Sequence, residues 1–323
     1  MIEVIGAPFD LCGRKPGSRL GPVAMRLEGL LKGLTALGHE VLDTGPVADV
    51  DAWNPQDAEQ RYTSANEVYL EIQERVGRAI ERSSVPLVIG GDHSISIGSV
   101  SGALRQYGND LAVLWIDAHM DLNTPDTSHS GNLHGMPLAA LSGLTTNVKG
   151  ALGTEWAALV EDVVGSATLG PDRICWLGLR DVDEGEVSNM RRLDGSLALT
   201  MQDVDELSVI GAMEQVDDHV RNSGARALWV SFDVDALDPI FAPGTGTAVR
   251  GGFTYREGHL IAEILHRIMS DPSNPYRLAG LDVVEVNPLI DMGNQTARIA
   301  VGWVHSLFGK TILNPDDPGR SER

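Results

Sequence analysis

Short apolar runs alternate with longer amphipathic stretches along most of this chain, and that alternation predicts its elements. A strand at residues 3–7 leads into a Gly-rich, basic loop at 8–20, after which Pro22 stands at a first helical position before an amphipathic helix at 23–37. Residues 41–45 read as a short strand and 46–62 as a surface excursion without periodicity. Ser64 and Glu67 have capping-box spacing, which predicts a helix to about residue 83. Strands follow at 85–90 and 111–116, with a helix from residue 95 between them, a long polar loop at 122–135 and a helix at 136–144.

The pattern then repeats: a helix around 156–164, a strand at 173–179, helical segments around 202–222 and a strand at 228–232. A second capping box, Thr254 with Glu257, opens a helix to about 269; a strand at 278–284 and a helix at 294–307 complete the series. Sustained β–α alternation implies an α/β fold around a mostly parallel sheet. No Gly/Ser-rich or charged linker divides it, so residues 1–309 are expected to form a single domain, with 310–323 a C-terminal tail.

Composition narrows the class. The chain has 323 residues, 42% of them hydrophobic, enough for a large buried core. It contains no apolar run near the ~20 residues of a membrane span and opens without a basic signal region, so a cytoplasmic location is expected. Cys12 and Cys175 make no disulfide framework or C-x-x-C pair. A net charge of −20, with lysine only at positions 15, 32, 149 and 310, excludes nucleic acid and anionic membranes as partners and favours cations. The loop at 8–20 lacks the G-x-G-x-x-G order of a nucleotide site.

The chemistry gathers at three predicted strand ends. Asp117-Ala-His-Met-Asp121 follows an apolar run, and in extended backbone its alternation sends Asp117, His119 and Asp121 to one side. Asp92 and His93 follow the strand at 85–90, and Asp233 and Asp235 stand two apart after the strand at 228–232. In open parallel sheets ligands bind at the carboxyl ends of strands. An Asp-rich turn alone explains any one of these tips, but not all three.

The ligand set read from these tips is His93, Asp117, His119, Asp121, Asp233 and Asp235. Its excess of carboxylate over imidazole, without thiolate, suits Mn²⁺ better than structural zinc. Two carboxylates ~4 Å apart repel by roughly 4 kcal/mol at an effective dielectric of ~20. Four around one cavity therefore require more than one divalent ion, and a binuclear site with a bridging water of lowered pKa is expected. Asp92-His93-Ser94 has the residue types of a serine triad, but adjacent residues cannot form its relay and no G-x-S-x-G elbow is present.

Gly90-Gly-Asp-His-Ser94, Asp117-Ala-His-Met-Asp121 and Ser231-Phe-Asp-Val-Asp-Ala-Leu-Asp-Pro239 resemble the three signatures of the ureohydrolase family, which hydrolyses guanidino groups with two Mn²⁺ ions. Ser130-Gly-Asn-Leu-His-Gly135, Gly178-Leu-Arg-Asp-Val-Asp183 with Gly185-Glu186, Gly244-Thr-Gly-Thr247 and Glu285-Val-Asn-Pro288 are similar to its arginase branch. The resemblance, which runs from Gly6 to Pro288, implies a three-layer αβα sandwich hydrolysing L-arginine to L-ornithine and urea by a metal-bridging hydroxide. It implies two Mn²⁺ per subunit, one held by His93, Asp117, Asp121 and Asp233, the other by Asp117, His119, Asp233 and Asp235. His134 corresponds to the proton shuttle, Glu285 to the carboxylate that orients the guanidinium, and Asp121 counts among the catalytic residues as well as the ligands.

Asn123, Ser128 and Ser130 are suited to the substrate α-carboxylate and Asp183 and Glu186 to its α-ammonium, with Thr247 a further substrate contact; each is also a residue type that stabilises its own loop. Arg256 and Glu257 resemble an intersubunit ion pair of a homo-trimer or homo-hexamer, and equally read as a solvated surface pair. His129 and Met136 stand where arginases more often carry Thr and Gln. Agmatine or a guanidino acid therefore remains an alternative substrate, and a non-catalytic binding protein on this scaffold the alternative of another class.

Overall fold

Runs that are apolar at every position, such as residues 111–116 and 227–230, leave neither face for water and call for a sheet covered on both sides. The computed structural model, which describes residues 1–47 and 58–313, has that form. In chain order the elements are β1 (Ile2–Ala7), α1 (Gly21–Leu27), α2 (Leu30–Ala36), β2 (Val41–Pro46), α3 (Ala58–Glu81), β3 (Val85–Gly90), α4 (Ser96–Tyr107), β4 (Leu111–Ile116), α5 (Pro137–Leu141), α6 (Ala151–Leu159), β5 (Ile174–Leu179), α7 (Glu184–Met190), β6 (Leu197–Thr200), α8 (Met201–Asn222), β7 (Ala227–Asp233), α9 (Tyr255–Ser270), β8 (Arg277–Val284) and α10 (Gln295–Leu307).

The strands form one sheet in the order β2-β1-β3-β8-β7-β4-β5-β6, and every pairing is parallel rather than mostly so. Alternate residues of each strand feed two separate cores. Ala112, Leu114 and Ile116 of β4 pack with α1, α2, α8, α9 and α10 on one face. Leu111, Val113 and Trp115 pack with α3, α4, α5 and α6 on the other. Three layers result. Ile89 pairs with Val283, Val284 with Asp233 and Phe232 with Ile116. The central strands β3, β8, β7 and β4 therefore finish on a common rim, where the loops that follow them meet.

Several elements depart from the sequence reading. The helix expected at 23–37 is two helices, broken where Gly29 takes a left-handed φ of 85°. The amphipathic period spans the break, which conceals it. Ser64 caps nothing, because α3 already starts at Ala58 and buries Ala65, Tyr69, Ile72 and Val76 along one stripe. The excursion expected at 46–62 lies partly outside the described residues, and its last residues belong to α3. The helix expected at 136–144 shrinks to α5, and that at 156–164 starts earlier and ends in a π-helical turn at Val160–Val164. Helix α7, with its Asp183–Glu186 capping box, and edge strand β6 were not anticipated. The Thr254–Glu257 box does open α9. Among the described residues no helix is long and apolar enough to cross a membrane.

Candidate metal centre

The polar tips begin where the strands end, but turns, not extended alternation, bring them together. Asp117 Oδ1 accepts the backbone N–H of His119 at 2.7 Å, and Asp233 Oδ1 that of Asp235 at 2.7 Å. Asp92 accepts from the Ser94 N–H in the same way at 3.0 Å. Each is an Asp folded back on the chain two residues on, so the bland reading of an Asp turn is locally correct. The turns at Asp117 and Asp233 nevertheless present their remaining carboxylate oxygen to His93, and each of the three turns delivers the next polar side chain to the rim. Asp121 and Glu285 take left-handed φ values of 51° and 63°, a strained backbone for residues with a Cβ and one that concentrates at functional sites.

The imidazole of His93 is the hub. Its Nδ1 lies 2.9 Å from Asp117 Oδ2, 3.0 Å from Asp121 Oδ2 and 3.1 Å from Asp233 Oδ2. Despite those separations this buried nitrogen has no hydrogen-bond partner: a ring nitrogen and three carboxylate oxygens point at one place, as ligands of a cation do. His119 Nδ1 stands 3.2 Å from both Asp117 Oδ1 and Asp235 Oδ2. Two groups able to hold a metal emerge, His93–Asp117–Asp233 and Asp117–His119–Asp235, sharing Asp117. Asp92, though next to His93, turns away and accepts from the backbone N–H of Cys12 at 2.9 Å.

Burial and mutual repulsion disturb the acids. Burial and the neighbouring Asp117 push Asp121 up to about 6. Asp233 and Asp235 are raised by burial and by nearby carboxylates. Burial works the same way on Asp117, but hydrogen bonds and charge from His119 and His93 outweigh it and hold its carboxyl well below the usual range. Two imidazoles cannot balance four buried carboxylates, so the centre lacks positive charge.

Beside these groups, His134 Nδ1 lies 2.9 Å from Glu285 Oε1, which also accepts the His93 backbone N–H at 3.0 Å. Burial favours neutral His134, but the hydrogen bond and charge of Glu285 win and raise it to about 9. A cavity of about 150 Å³ opens over the centre, lined by His119, Asn123, His134, Asp183, Glu186 and Thr247 among others. Thr247 donates to Asp235 Oδ2 at 2.8 Å, and Asn123 Nδ2 to Asp183 Oδ2 at 2.9 Å. Asp183 and Glu186 also cap α7, and burial pushes Glu186 up to about 8. Ser128 and Ser130 fall outside this lining; their hydroxyls accept from the backbone N–H groups of Gly131 and Asn132 on their own loop.

Three participants escaped the sequence reading. Trp115 stacks flat on His93, with ring centroids 4.1 Å apart, and donates to Asp117 Oδ2 at 3.1 Å. Ser231 Oγ lies 2.8 Å from His93 Nε2, and Asp282 accepts the Ser231 hydroxyl. A carboxylate inside the apolar strand at 278–284 was the signal available for Asp282.

The Arginase family model matches residues 1–309. The chain is 39% identical over 318 residues to an arginase of Staphylococcus aureus, covering 97% of this chain and 98% of that protein. The crystal structure of the Bacillus caldovelox arginase superposes with a TM-score of 0.84 at 36% identity, covering 97% of this chain and 99% of that one. For the Bacillus subtilis arginase the TM-score is 0.82 at 36% identity, over 97% of this chain and 100% of that one.

Because Asp117 belongs to both groups and Asp235 to one, their substitutions should differ. After equilibrium dialysis against Mn²⁺ and metal analysis, Asp117→Asn is expected to hold little or no metal, whereas Asp235→Asn retains about one ion. Equal retention in the two variants would show that Asp117 does not bridge.

Proposed function

The chain belongs to the arginase family of hydrolases, and from that premise we propose that it hydrolyses L-arginine to L-ornithine and urea at a centre of two Mn²⁺ ions. The observation that carries this reading is the pair of His/Asp groups joined through Asp117, facing the same cleft as the His134–Glu285 pair. The donor set fits the metal: it is oxygen-rich, lacks thiolate, and leaves His93 Nδ1 without a hydrogen bond among three carboxylates. His93, Asp117, Asp121 and Asp233 would hold one ion and Asp117, His119, Asp233 and Asp235 the other, with Asp117 and Asp233 bridging. Bound there, the ions would offset the carboxylate charge and lower the pKa of a shared water toward neutrality.

The remaining residues position substrate and move a proton. Glu285, held on a left-handed backbone and anchored by the His93 N–H, offers its carboxylate to the guanidinium. His134 is protonated at neutral pH by its pairing with Glu285. When the guanidinium takes up that carboxylate, the His134 proton becomes available to the nitrogen that leaves as the guanidino carbon–nitrogen bond breaks and water supplies the oxygen of urea. Asn123 serves the α-carboxylate, with Ser128 and Ser130, whose hydroxyls accept from their own loop outside the cavity lining, keeping their protons to donate to it; Asp183 and Glu186 serve the α-ammonium, directly or through water, and Thr247 steadies Asp235 at the mouth. We take residues 1–309 as one cytoplasmic catalytic domain with a tail at 310–323. A homo-trimer or homo-hexamer is the assembly we favour, with exposed Arg256 at the contact, while Glu257 is engaged in capping α9.

Urea release from an arginine and agmatine panel tests the substrate. Groups built to pair with a carboxylate are left unsatisfied by agmatine, so kcat/KM should fall by about 10⁴-fold or more; equal efficiency would reassign the substrate within the ureohydrolases. His134→Ala should keep its Mn²⁺ while kcat falls by about 10²–10⁴-fold, the usual worth of general acid–base catalysis. Loss of metal from that variant would make His134 a ligand instead.

A further inference from the structure

Asp282 is a carboxylate in the interior of β8, fully buried between apolar neighbours. Such a group is costly to hold away from water unless its oxygens are fully bonded, and no capping or turn role accounts for it. Its oxygens accept three hydrogen bonds. Oδ2 takes the Ser99 hydroxyl at 2.6 Å and the Trp229 indole N–H at 2.8 Å, and Oδ1 takes the hydroxyl of Ser231. Ser231 is itself fully buried, and its Oγ lies 2.8 Å from His93 Nε2.

The direction of these bonds follows from the inventory of protons. A serine hydroxyl has one proton to give, and that of Ser231 goes to Asp282. Toward His93 the same oxygen can only accept, so Nε2 must carry the ring proton. In the neutral ring Nδ1 is then left with its lone pair, the form that a cation binds, and it is Nδ1 that faces Asp117, Asp121 and Asp233. Trp115 stacks flat on the ring, with centroids 4.1 Å apart, and holds its plane. Resting on the reading of this centre as a metal site, we propose that Asp282 is a positioning residue that acts through Ser231 to fix His93 in the one tautomer able to ligate a divalent cation.

The proposal makes Asp282→Asn a directional test. The Trp229 indole only donates, so the new amide must keep its oxygen there and present its NH₂ to Ser231. Ser231 then receives instead of giving, turns its hydroxyl proton on Nε2, and drives the ring proton to Nδ1, where a cation has to bind. Ser231→Ala removes the link without altering β8. Ser99→Ala is the control: it takes one donor from Asp282 but leaves the Ser231–His93 contact untouched.

Mn²⁺ binding to each full-length protein would be measured by titration calorimetry, with metal content checked after dialysis and folding checked by circular dichroism. Wild type and Ser99→Ala should bind two ions with affinities within about threefold of each other. Asp282→Asn and Ser231→Ala should bind one of the two ions about 10–100-fold more weakly, the usual worth of an outer partner to a metal-bound histidine. If Asp282→Asn does not fold, Ser231→Ala alone decides. Two ions bound by the substituted proteins as tightly as by wild type would overturn the relay. So would a loss in Ser99→Ala equal to that in Ser231→Ala, since that would be a packing effect without direction. A wild-type protein that binds no Mn²⁺ would instead refute the metal reading on which the relay rests.

Discussion

Unbalanced negative charge at the carboxyl rim of the sheet is the constraint on which the rest of the structure depends. Asp117, Asp121, Asp233, Asp235 and Glu285 are all buried there, and each pair of carboxylates ~4 Å apart costs roughly 4 kcal/mol at an effective dielectric of ~20. The rim supplies partial compensation. Backbone N–H groups reach Asp117 and Asp233, the Trp115 indole reaches Asp117, and the His93 N–H reaches Glu285. His93, His119 and His134 bring imidazoles to the carboxylates, and the Arg180 guanidinium donates to the backbone carbonyl of Asp235. What these leave uncompensated suits the rim to a cation, which the two His/Asp groups sharing Asp117 could hold.

The sheet makes this crowding possible. Its central strands are buried on both faces and packed on two cores, which holds their ends in line. Close backbone approach tightens the rim further. A Cβ on Gly91 would lie 1.7 Å from the carbonyl oxygen of Phe9, so only glycine lets the chain pass from β3 to His93 at this spacing. In the loop after β1, the carbonyl of Cys12 accepts the His134 N–H and its own N–H is donated to Asp92, tying His134 to the strand end that carries His93.

Much of this was legible in the sequence because a polar residue directly after a fully apolar run has little to do except face the rim. His93, Asp117, His119, Asp233 and Asp235 were found that way. The reason given for their convergence was nevertheless wrong in part, since side-chain-to-backbone turns at Asp117 and Asp233 do the work assigned to extended alternation. Residues that act through other residues stayed hidden. Asp282 sits in strand register, where only its charge distinguishes it from core, and Trp115 reads as one more apolar position. Ser128 and Ser130 show the opposite difficulty, because hydroxyls suited to a carboxylate are equally suited to their own loop, and that is where theirs bond. Helix boundaries failed where the period carried across a break, as at Gly29, or where an earlier start made a capping motif interior, as at Ser64.

The central claim is that carboxylate crowding around His93 and His119 is resolved by two cations bridged by Asp117. Anomalous diffraction at the manganese absorption edge, from crystals grown with Mn²⁺, tests it most directly. The account predicts two peaks about 3.5–4 Å apart, one against His93 Nδ1 and the other against His119 Nδ1, with Asp117 touching both. A single peak, or two peaks that do not share Asp117, would contradict it.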